Sequence, residues 1–238
     1  DGVKLKDEPN IRQFKSGKIN KEQKNKYNKY KQNLRLKYND KNLYKIVEKD
    51  TRNGFTGNIY STMSEISEPY VMIFQHDFAF LRDIDFKLVM GAFKKNDNIN
   101  YIGFRSKSVD GLPGTLLTFK GSREFFKSET KKDVLHNYKT RFGIPLYPLN
   151  FWYDRVHIAR KDYYTKEVFK QHTLKIKPDI SKVYKTKNFV EDTFGQYMRD
   201  YITQDISRID EFGAFIFWDK EEIAVTHTDG RSFRLDLE

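Results

Sequence analysis

The chain has 238 residues, of which 38% are hydrophobic and 16% aromatic, enough for one substantial core. It contains no cysteine, which excludes disulfide bonds and thiolate metal ligands, so any metal must be held by carboxylates and imidazoles. A formal net charge of +11 indicates an anionic partner: nucleic acid, an anionic surface or a phosphorylated substrate. With no apolar run of about 18 residues and no signal peptide, we expect a soluble, cytoplasmic domain without a transmembrane segment.

Much of the positive charge lies near the N-terminus. Lys18 to Lys41 contains nine lysines and arginines against two acidic residues. Within it, three tyrosines and one leucine recur at three- and four-residue spacing, which predicts a helix with a narrow apolar stripe. The alternative is a polyanion-binding surface, with bases stacked on tyrosines and phosphates on lysines. Because no recognised nucleic-acid signature accompanies the segment, nucleic acid is not the partner that we expect.

After residue 50 the composition becomes that of an ordinary globular domain. We therefore expect a basic helical segment over residues 1–42, packed on a catalytic domain over residues 43–238. Strands that alternate with helices indicate an α/β fold with a mainly parallel central sheet, flanked by helices and followed by a small C-terminal hairpin. The predicted strands are 43–47, 70–74, 101–104, 115–119 and the hairpin 213–218 with 223–226, and the predicted helices are 59–66, 86–93, 131–138 and 190–202.

The most informative segment is the apolar run from Tyr70 to Phe74, which leads into Gln75-His76-Asp77. A short apolar run without polar alternation predicts a strand buried on both faces, central in the sheet. Ligand sites in open α/β sheets lie at the carboxyl ends of such strands, and both His76 and Asp77 are metal-ligating residue types. The alternative is that Asp77 only caps the following turn.

A second cluster of aromatic and polar residues spans Asn150 to His157. Aromatic faces stack on the C–H surfaces of sugars, while carboxylate, guanidinium and imidazole groups bond to hydroxyls. The sequence therefore predicts a sugar or acceptor pocket formed by Trp152, Tyr153, Asp154 and Arg155. Aromatic clusters also form hydrophobic cores, and the sequence leaves that alternative open.

Four segments occur in a characteristic order. Asn53-Gly54 precedes a helix, Asp77 ends a strand, Glu191-Asp192 begins a helix, and His227 follows the last strand. This order resembles that of GT-A-fold (Rossmann-like) glycosyltransferases, most closely the family 2-like enzymes, over residues 43 to 231. The chain departs from the pattern in two respects: the Asp-x-Asp position reads Gln-His-Asp, and the first strand of the nucleotide-binding half is missing.

The resemblance implies a nucleotide-sugar-dependent, inverting transfer from a UDP- or GDP-sugar to a glycan or glycoprotein. It implies Asp192 as the base that deprotonates the acceptor hydroxyl, with Glu191 orienting the acceptor or the helix. It further implies Asp77 and His227 as ligands of Mn²⁺ or Mg²⁺, where an imidazole nitrogen favours Mn²⁺. The residues assigned to the nucleotide and its diphosphate are Asn53, Gly54, His76 and Arg231.

Simpler roles exist for several of these residues. His227 could be a hydrogen-bonded residue at a strand end, and Glu191 and Asp192 could be ordinary caps of a helix N-terminus. Two alternative functions also stay open. One is a nucleotidyltransferase on a similar sheet, and the other is a non-enzymatic basic module that binds polyanions through residues 18–41.

Overall fold

The computed structural model divides the chain into two compact units, Asp1–Ile66 with Lys177–Asn188, and Ser67–Ile176 with Phe189–Glu238. The division follows Ile66, whereas the predicted boundary after residue 42 stays a prediction. No helix in the described part of the chain is long and apolar enough to cross a membrane. The structure describes residues 4–10, 18–40, 44–49, 54–109, 116–127, 130–170 and 189–228.

The N-terminal unit contains the basic helix α1, Lys21–Lys37. The helix begins with a capping box, in which Asn20 accepts the Gln23 N–H and the Gln23 side chain accepts the Asn20 N–H. None of its residues is buried. The predicted strand over 43–47 is wrong for its described part, because residues 44–49 form neither strand nor helix. The other elements of this unit are β1 (Lys4–Leu5), β2 (Lys18–Ile19) and α2 (Gly54–Met63).

The described strands of the second unit are β3 (Tyr70–Ile73), β4 (Phe78–Phe80), β5 (Tyr101–Phe104), β6 (Leu146–Pro148), β7 (His157–Arg160), β8 (Ala214–Phe217) and β9 (Val225–His227). Five of them form a mixed sheet with the order β3-β7-β5-β8-β6. Only the β5–β8 pair is parallel within this sheet, and its other three pairs are antiparallel. A separate two-stranded antiparallel sheet joins β4 to β9.

Helices accompany these strands and bury apolar faces. The helix α3 (Phe86–Lys95) buries Val89, Ala92 and Phe93, and begins with an Asp85 side chain that accepts the Leu88 N–H. The other helices are α4 (Ser122–Phe126), α5 (Lys131–Phe142), α6 (Lys161–Tyr163, continued by a π-helical turn over Tyr164–Val168) and α7 (Gln196–Gln204, preceded by a π-helical turn over Glu191–Gly195), with 3₁₀ turns at Lys107–Val109 and Ile206–Phe212.

The structure confirms a mixed α/β architecture but corrects the predicted sheet. The sheet is not mainly parallel, because β7 runs antiparallel between β3 and β5. Strand β3 lies at an edge, with Met72 41% exposed, whereas every residue of β5, β6 and β8 is buried. Sequence patterns did not indicate β7, because this four-residue strand carries His157 and Arg160 at its ends.

Two further predictions of local structure are wrong. The predicted C-terminal hairpin does not form, because β8 pairs with β5 and β6 while β9 pairs with β4. The predicted strand over 115–119 is helical or turn structure in its described part, 116–119. In the hairpin, pairing with distant segments overrode the local pattern, whereas 116–119 form local hydrogen bonds such as that from the Phe119 N–H to the Leu116 carbonyl.

Candidate functional site

One edge of the five-stranded sheet gathers the polar residues. Strand β3 ends where its antiparallel neighbour β7 begins, with Ile73 opposite His157. The segments that follow β3 and precede β7 therefore meet, and the Gln75 side-chain amide donates a 2.5 Å hydrogen bond to the carbonyl of Asp154. The next strand, β5, ends at the same edge, and the Arg155 guanidinium donates to the Ser106 hydroxyl at 2.8 Å.

The pairing of β4 with β9 brings a second pair of residues together. Phe78 lies opposite His227, so Asp77 lies beside the end of β9. The Thr228 N–H donates to the Asp77 carbonyl at 2.6 Å, and His227 Nε2 lies 3.0 Å from Asp77 Oδ2. Two residues 150 positions apart are thus in direct contact.

The geometry of this pair fits a divalent cation. Two donor atoms at neighbouring positions of an octahedral ion, each about 2.1 Å from it, lie about 3 Å apart. Asp77 Oδ1 is buried and has no hydrogen-bond partner among the described residues, so it could accept a further interaction. No group of three or more potential metal-ligating side chains occurs within the described ranges, so other ligands would have to come from phosphate oxygens and water.

A second pair consists of two carboxyl residues, Asp154 in the loop before β7 and Glu191 in the turn before α7. The Glu191 N–H donates to Asp154 Oδ2 at 3.3 Å, and the Asp154 N–H donates to Glu191 Oε2 at 3.4 Å. These segments approach closely because Gly195 has no side chain: a Cβ there would lie 2.7 Å from the Trp152 carbonyl oxygen. Glycine at 195 therefore allows the Asp154–Glu191 contact.

These groups line one cavity of about 420 Å³. Burial and, next, the neighbouring Glu191 carboxylate raise the pKa of Asp154 well above its usual value. One ligand in the cavity could therefore contact the Asp154 carboxyl with its raised pKa, the carboxyl groups of Asp77 and Glu191, and the Arg155 guanidinium. Its lining residues are Gln75, Asp77, Phe78, Asp154, Arg155, Phe189, Glu191 and His227.

A buried chain of hydrogen bonds supports the loop that carries Asp154 and Arg155. His157 Nδ1–H donates to the Arg155 carbonyl, and because a carbonyl only accepts, His157 Nε2 is left to accept the Tyr164 hydroxyl at 3.1 Å. The Tyr164 oxygen in turn accepts the Trp152 indole N–H at 3.4 Å. Burial lowers the pKa of His157 to about 4, which keeps the ring neutral and this direction of donation fixed.

The predicted sugar-pocket residues divide between the cavity and the core. Asp154 and Arg155 line the cavity. Trp152 is fully buried among the rings of Tyr101, Tyr164 and Phe194, so stacking of its indole on a sugar does not fit its position. The half-buried Tyr153 packs against Phe151 and lies under the Arg155 guanidinium.

The predicted base, Asp192, and its neighbour Glu191, predicted to orient the acceptor or the helix, have different surroundings in the structure. Glu191 is half-buried and lines the cavity. Asp192 is exposed, and its carboxylate accepts the Phe189 N–H at 3.4 Å, as a helix-capping residue does. This geometry favours Glu191 over Asp192 as the group that meets a ligand.

The structure describes two of the four predicted nucleotide-binding residues, His76 and Gly54. His76 is exposed, next to Asp77. Gly54, with a φ of +73°, opens α2 in the N-terminal unit. Asn53 and Arg231 lie outside the described residues.

Two features of the cavity are not evident from the sequence. In the sequence Gln75 is only a departure from an Asp-x-Asp pattern, yet its amide bonds to the Asp154 carbonyl. The pairing of Asp154 with Glu191 is also not evident, because no sequence signal joins a loop before an unpredicted strand to a helix start 37 residues later. Recognising β7 as an antiparallel neighbour of β3 would have placed Asp154 near Gln75.

Comparison of the chain with protein-family models, curated proteins and solved structures finds no match. What the protein does must therefore be inferred from the residues that line the cavity and from their geometry.

Proposed function

We propose that this protein is a metal-dependent glycosyltransferase that transfers a sugar, with inversion, from a UDP- or GDP-sugar to a hydroxyl of a glycan or glycoprotein. The observation that carries this proposal is the contact between Asp77 and His227, which both line a carboxyl-containing cavity. Their donor atoms have the spacing of neighbouring octahedral ligands, and the second oxygen of Asp77 has no hydrogen-bond partner among the described residues.

Asp77 and His227 would hold Mn²⁺ or Mg²⁺ together with the diphosphate of the donor. When bound, the cation would neutralise the negative charge that develops on the leaving diphosphate. Arg155 lines the same cavity, and its guanidinium is oriented by the Ser106 hydroxyl and the Tyr153 ring. It would bond to a phosphate oxygen or to a hydroxyl of the ligand.

Glu191 would accept the proton of the attacking hydroxyl. A base for this step must be ionised and within hydrogen-bond reach of that hydroxyl. Glu191 lines the cavity, whereas Asp192 caps its own helix. The geometry therefore supports Glu191, and not Asp192, as the base. Asp192 would be a capping residue that adds negative charge nearby.

Calorimetric titration of the full chain with UDP, GDP and a panel of UDP- and GDP-sugars, with and without Mn²⁺, tests the proposal. We expect metal-dependent binding that Asp77→Ala abolishes. Asp83→Ala, which removes an exposed carboxylate from the same region, is the matched control and should bind normally. Absence of metal-dependent nucleotide binding contradicts the proposal, and release of pyrophosphate from a nucleoside triphosphate would instead indicate a nucleotidyltransferase.

A second function is favoured by one observation in the N-terminal unit. Helix α1 carries seven lysines and arginines against one glutamate, and none of its residues is buried. Such a surface would bind a polyanion through its charge. Exchange of Lys24 and Lys29 for glutamate should weaken retention on a heparin column while leaving metal-dependent nucleotide binding unchanged, which would make polyanion binding an accessory function.

A further inference from the structure

Asp154 is the most deeply buried of the three carboxyl groups that line the cavity, with 3% of its surface exposed. Its two oxygen atoms have different surroundings. Oδ2 accepts the Glu191 N–H at 3.3 Å, and the carboxyl also accepts the Val190 N–H. Oδ1 is buried and has no hydrogen-bond partner in the described part of the chain. One oxygen is thus held as an acceptor, and the other has no protein donor to satisfy it.

The surroundings of Asp154 disfavour a negative charge. The Glu191 carboxylate lies beside it, and Asp192 lies one residue further along. Burial and these neighbours raise the pKa of Asp154, which favours its neutral form relative to an ordinary exposed aspartate. Because Oδ2 is engaged by backbone donors, the proton belongs on Oδ1, which becomes a buried hydroxyl without an acceptor.

Asp77 provides the contrast within the same cavity. Its side chain is 26% exposed, and its Oδ2 contacts the imidazole of His227. The two aspartates therefore suit different tasks: Asp77 suits a cation, and Asp154 suits a ligand atom that accepts a hydrogen bond. Carboxyl groups whose surroundings separate them in this way commonly divide acidic and basic roles.

The neighbour of Asp154 indicates which ligand atom that is. A phosphate oxygen would be repelled by the Glu191 carboxylate, whereas a neutral hydroxyl can donate to Glu191 and accept from Asp154 at once. An acid–hydroxyl–carboxylate arrangement satisfies all three groups, including the otherwise unpartnered Oδ1.

We propose that Asp154 is a neutral hydrogen-bond donor that recognises a hydroxyl group of the bound sugar, with Glu191 accepting from the same hydroxyl. This assignment rests on the proposed function and identifies the sugar-recognising group of its cavity. The hydroxyl belongs either to the sugar of the nucleotide donor or to the acceptor sugar, and the binding experiment below separates the two.

The first test needs no ligand. The carboxyl carbon of Asp154 is followed by NMR in the full chain labelled at aspartate, and is assigned by its loss in Asp154→Asn. We expect the chemical shift of a protonated acid at about pH 7, where ordinary aspartates are ionised. The shift of an ionised carboxylate at that pH overturns the proposal, whatever the protein binds.

The second test measures binding in the presence of Mn²⁺. UDP is compared with UDP-glucose, UDP-galactose and UDP-N-acetylglucosamine for the donor sugar, and free glucose, galactose and N-acetylglucosamine are added with UDP for the acceptor sugar. We expect Asp154→Ala to weaken the sugar-dependent affinity about tenfold in one of these arms, with UDP affinity unchanged. Asp154→Asn keeps a donor and an acceptor in the same places and should retain most of that affinity.

Three outcomes of the binding test overturn the proposal. Equal losses in Asp154→Asn and Asp154→Ala mean that the group acts as an anion. Equal weakening of UDP and of the sugar probes, or a lowered melting temperature that accounts for the loss, means that Asp154 is only structural. If nucleotides bind with Mn²⁺ but Asp154→Ala has no effect in any arm, the donor assignment fails while the proposed function stands; if the wild-type chain binds no nucleotide, the proposed function fails first.

Discussion

His227 and Asp77 lie 150 residues apart in the chain, yet the Nε2 atom of the histidine lies 3.0 Å from Oδ2 of the aspartate. The contact is set by pairing of β4 with β9, which places Phe78 opposite His227. A hydrogen bond from the Thr228 N–H to the Asp77 carbonyl also holds these two segments together.

His227 should set the metal preference of nucleotide binding. An imidazole nitrogen favours Mn²⁺ over Mg²⁺, so His227→Asn, which offers an oxygen, should reduce the ratio of nucleotide affinity in Mn²⁺ to that in Mg²⁺. Titration with UDP and GDP in each metal measures the ratio. His136→Asn, which changes an exposed histidine on α5, is the control. An unchanged ratio in His227→Asn would mean that the imidazole does not meet the cation.

Substitution of Glu191 should lower the transfer rate, whereas substitution of Asp192 should affect mainly stability. Glu191→Gln removes the base that lines the cavity, and we expect the transfer rate to fall by about 100-fold or more with nucleotide affinity retained. Asp192→Asn changes an exposed capping group and should cost at most about 1 kcal/mol of stability with transfer largely intact. The rate of sugar transfer from a UDP- or GDP-sugar, measured on the purified variants, tests this prediction. The opposite pattern would return the role of base to Asp192.

The buried His157 should make stability depend on pH. Its pKa is lowered from 6.5 to about 4 in the folded protein, so between these values the unfolded chain binds a proton that the folded chain does not. The resulting stability is fully present above about pH 6.5 and is lost as the pH falls toward 4. The expected loss is on the order of 3 kcal/mol.

Denaturant unfolding at several pH values measures this effect, with His157→Gln as the comparison. The variant lacks the titrating ring, so the difference in unfolding free energy between wild type and variant should shrink as the pH falls from about 6.5 to 4. Acidic groups contribute to both proteins and cancel in the difference. A difference that is constant with pH would contradict a neutral buried ring.

Tyr164 should be the critical link of the same hydrogen-bond chain. Tyr164→Phe removes the donor to His157 Nε2 and the acceptor of the Trp152 N–H, leaving two buried polar atoms unpartnered. We expect a loss of about 1–3 kcal/mol, measured by denaturant unfolding. Tyr163→Phe is the matched control, because that ring also packs on the Trp152 indole but its hydroxyl has no hydrogen-bond partner within the described ranges. Equal losses of stability in the two variants would show that the hydrogen bonds of the Tyr164 hydroxyl contribute nothing beyond the packing of its ring.

Gly195 should tolerate no side chain. A Cβ at this position would lie 2.7 Å from the Trp152 carbonyl oxygen and 2.9 Å from two atoms of the Phe151 ring. Gly195→Ala should therefore destabilise the fold by about 1–3 kcal/mol and move Glu191 away from Asp154.

Gly91→Ala is the control for this substitution. Gly91 is also helical, and a Cβ there would have no neighbour within 4 Å, so alanine should stabilise α3 by up to about 1 kcal/mol. Melting temperatures of the two variants should shift in opposite directions. A shift of the same sign in both would mean that helix propensity, and not the contact with the loop, governs position 195.

Local patterns correctly identified several elements of the second unit. The strand predicted over 101–104 and the helices predicted over 86–93 and 190–202 appear in the structure close to their predicted bounds. The helices were predictable because each buries one apolar face, which leaves a period in the sequence, and β5 because it is a short run without charged side chains. Strand β7 is equally short but left no such run, since it begins with His157 and ends with Arg160.

The sequence by itself determined which chemical groups the site can contain. With no cysteine, carboxylates and imidazoles were the side chains left to hold a metal, and Asp77 and His227, which follow apolar strands, match the order of segments in the family that the chain resembles. Those properties are local, so a single segment suffices to reveal them.

Only the tertiary structure decided which of these groups meet. The antiparallel insertion of β7 brought Asp154 to Gln75, and the missing side chain of Gly195 let Glu191 reach Asp154. The same packing placed Trp152 in the core and left Asp192 in solvent as a cap. Strand order and close approach depend on contacts between residues far apart in the chain, and for that reason no local pattern encodes them.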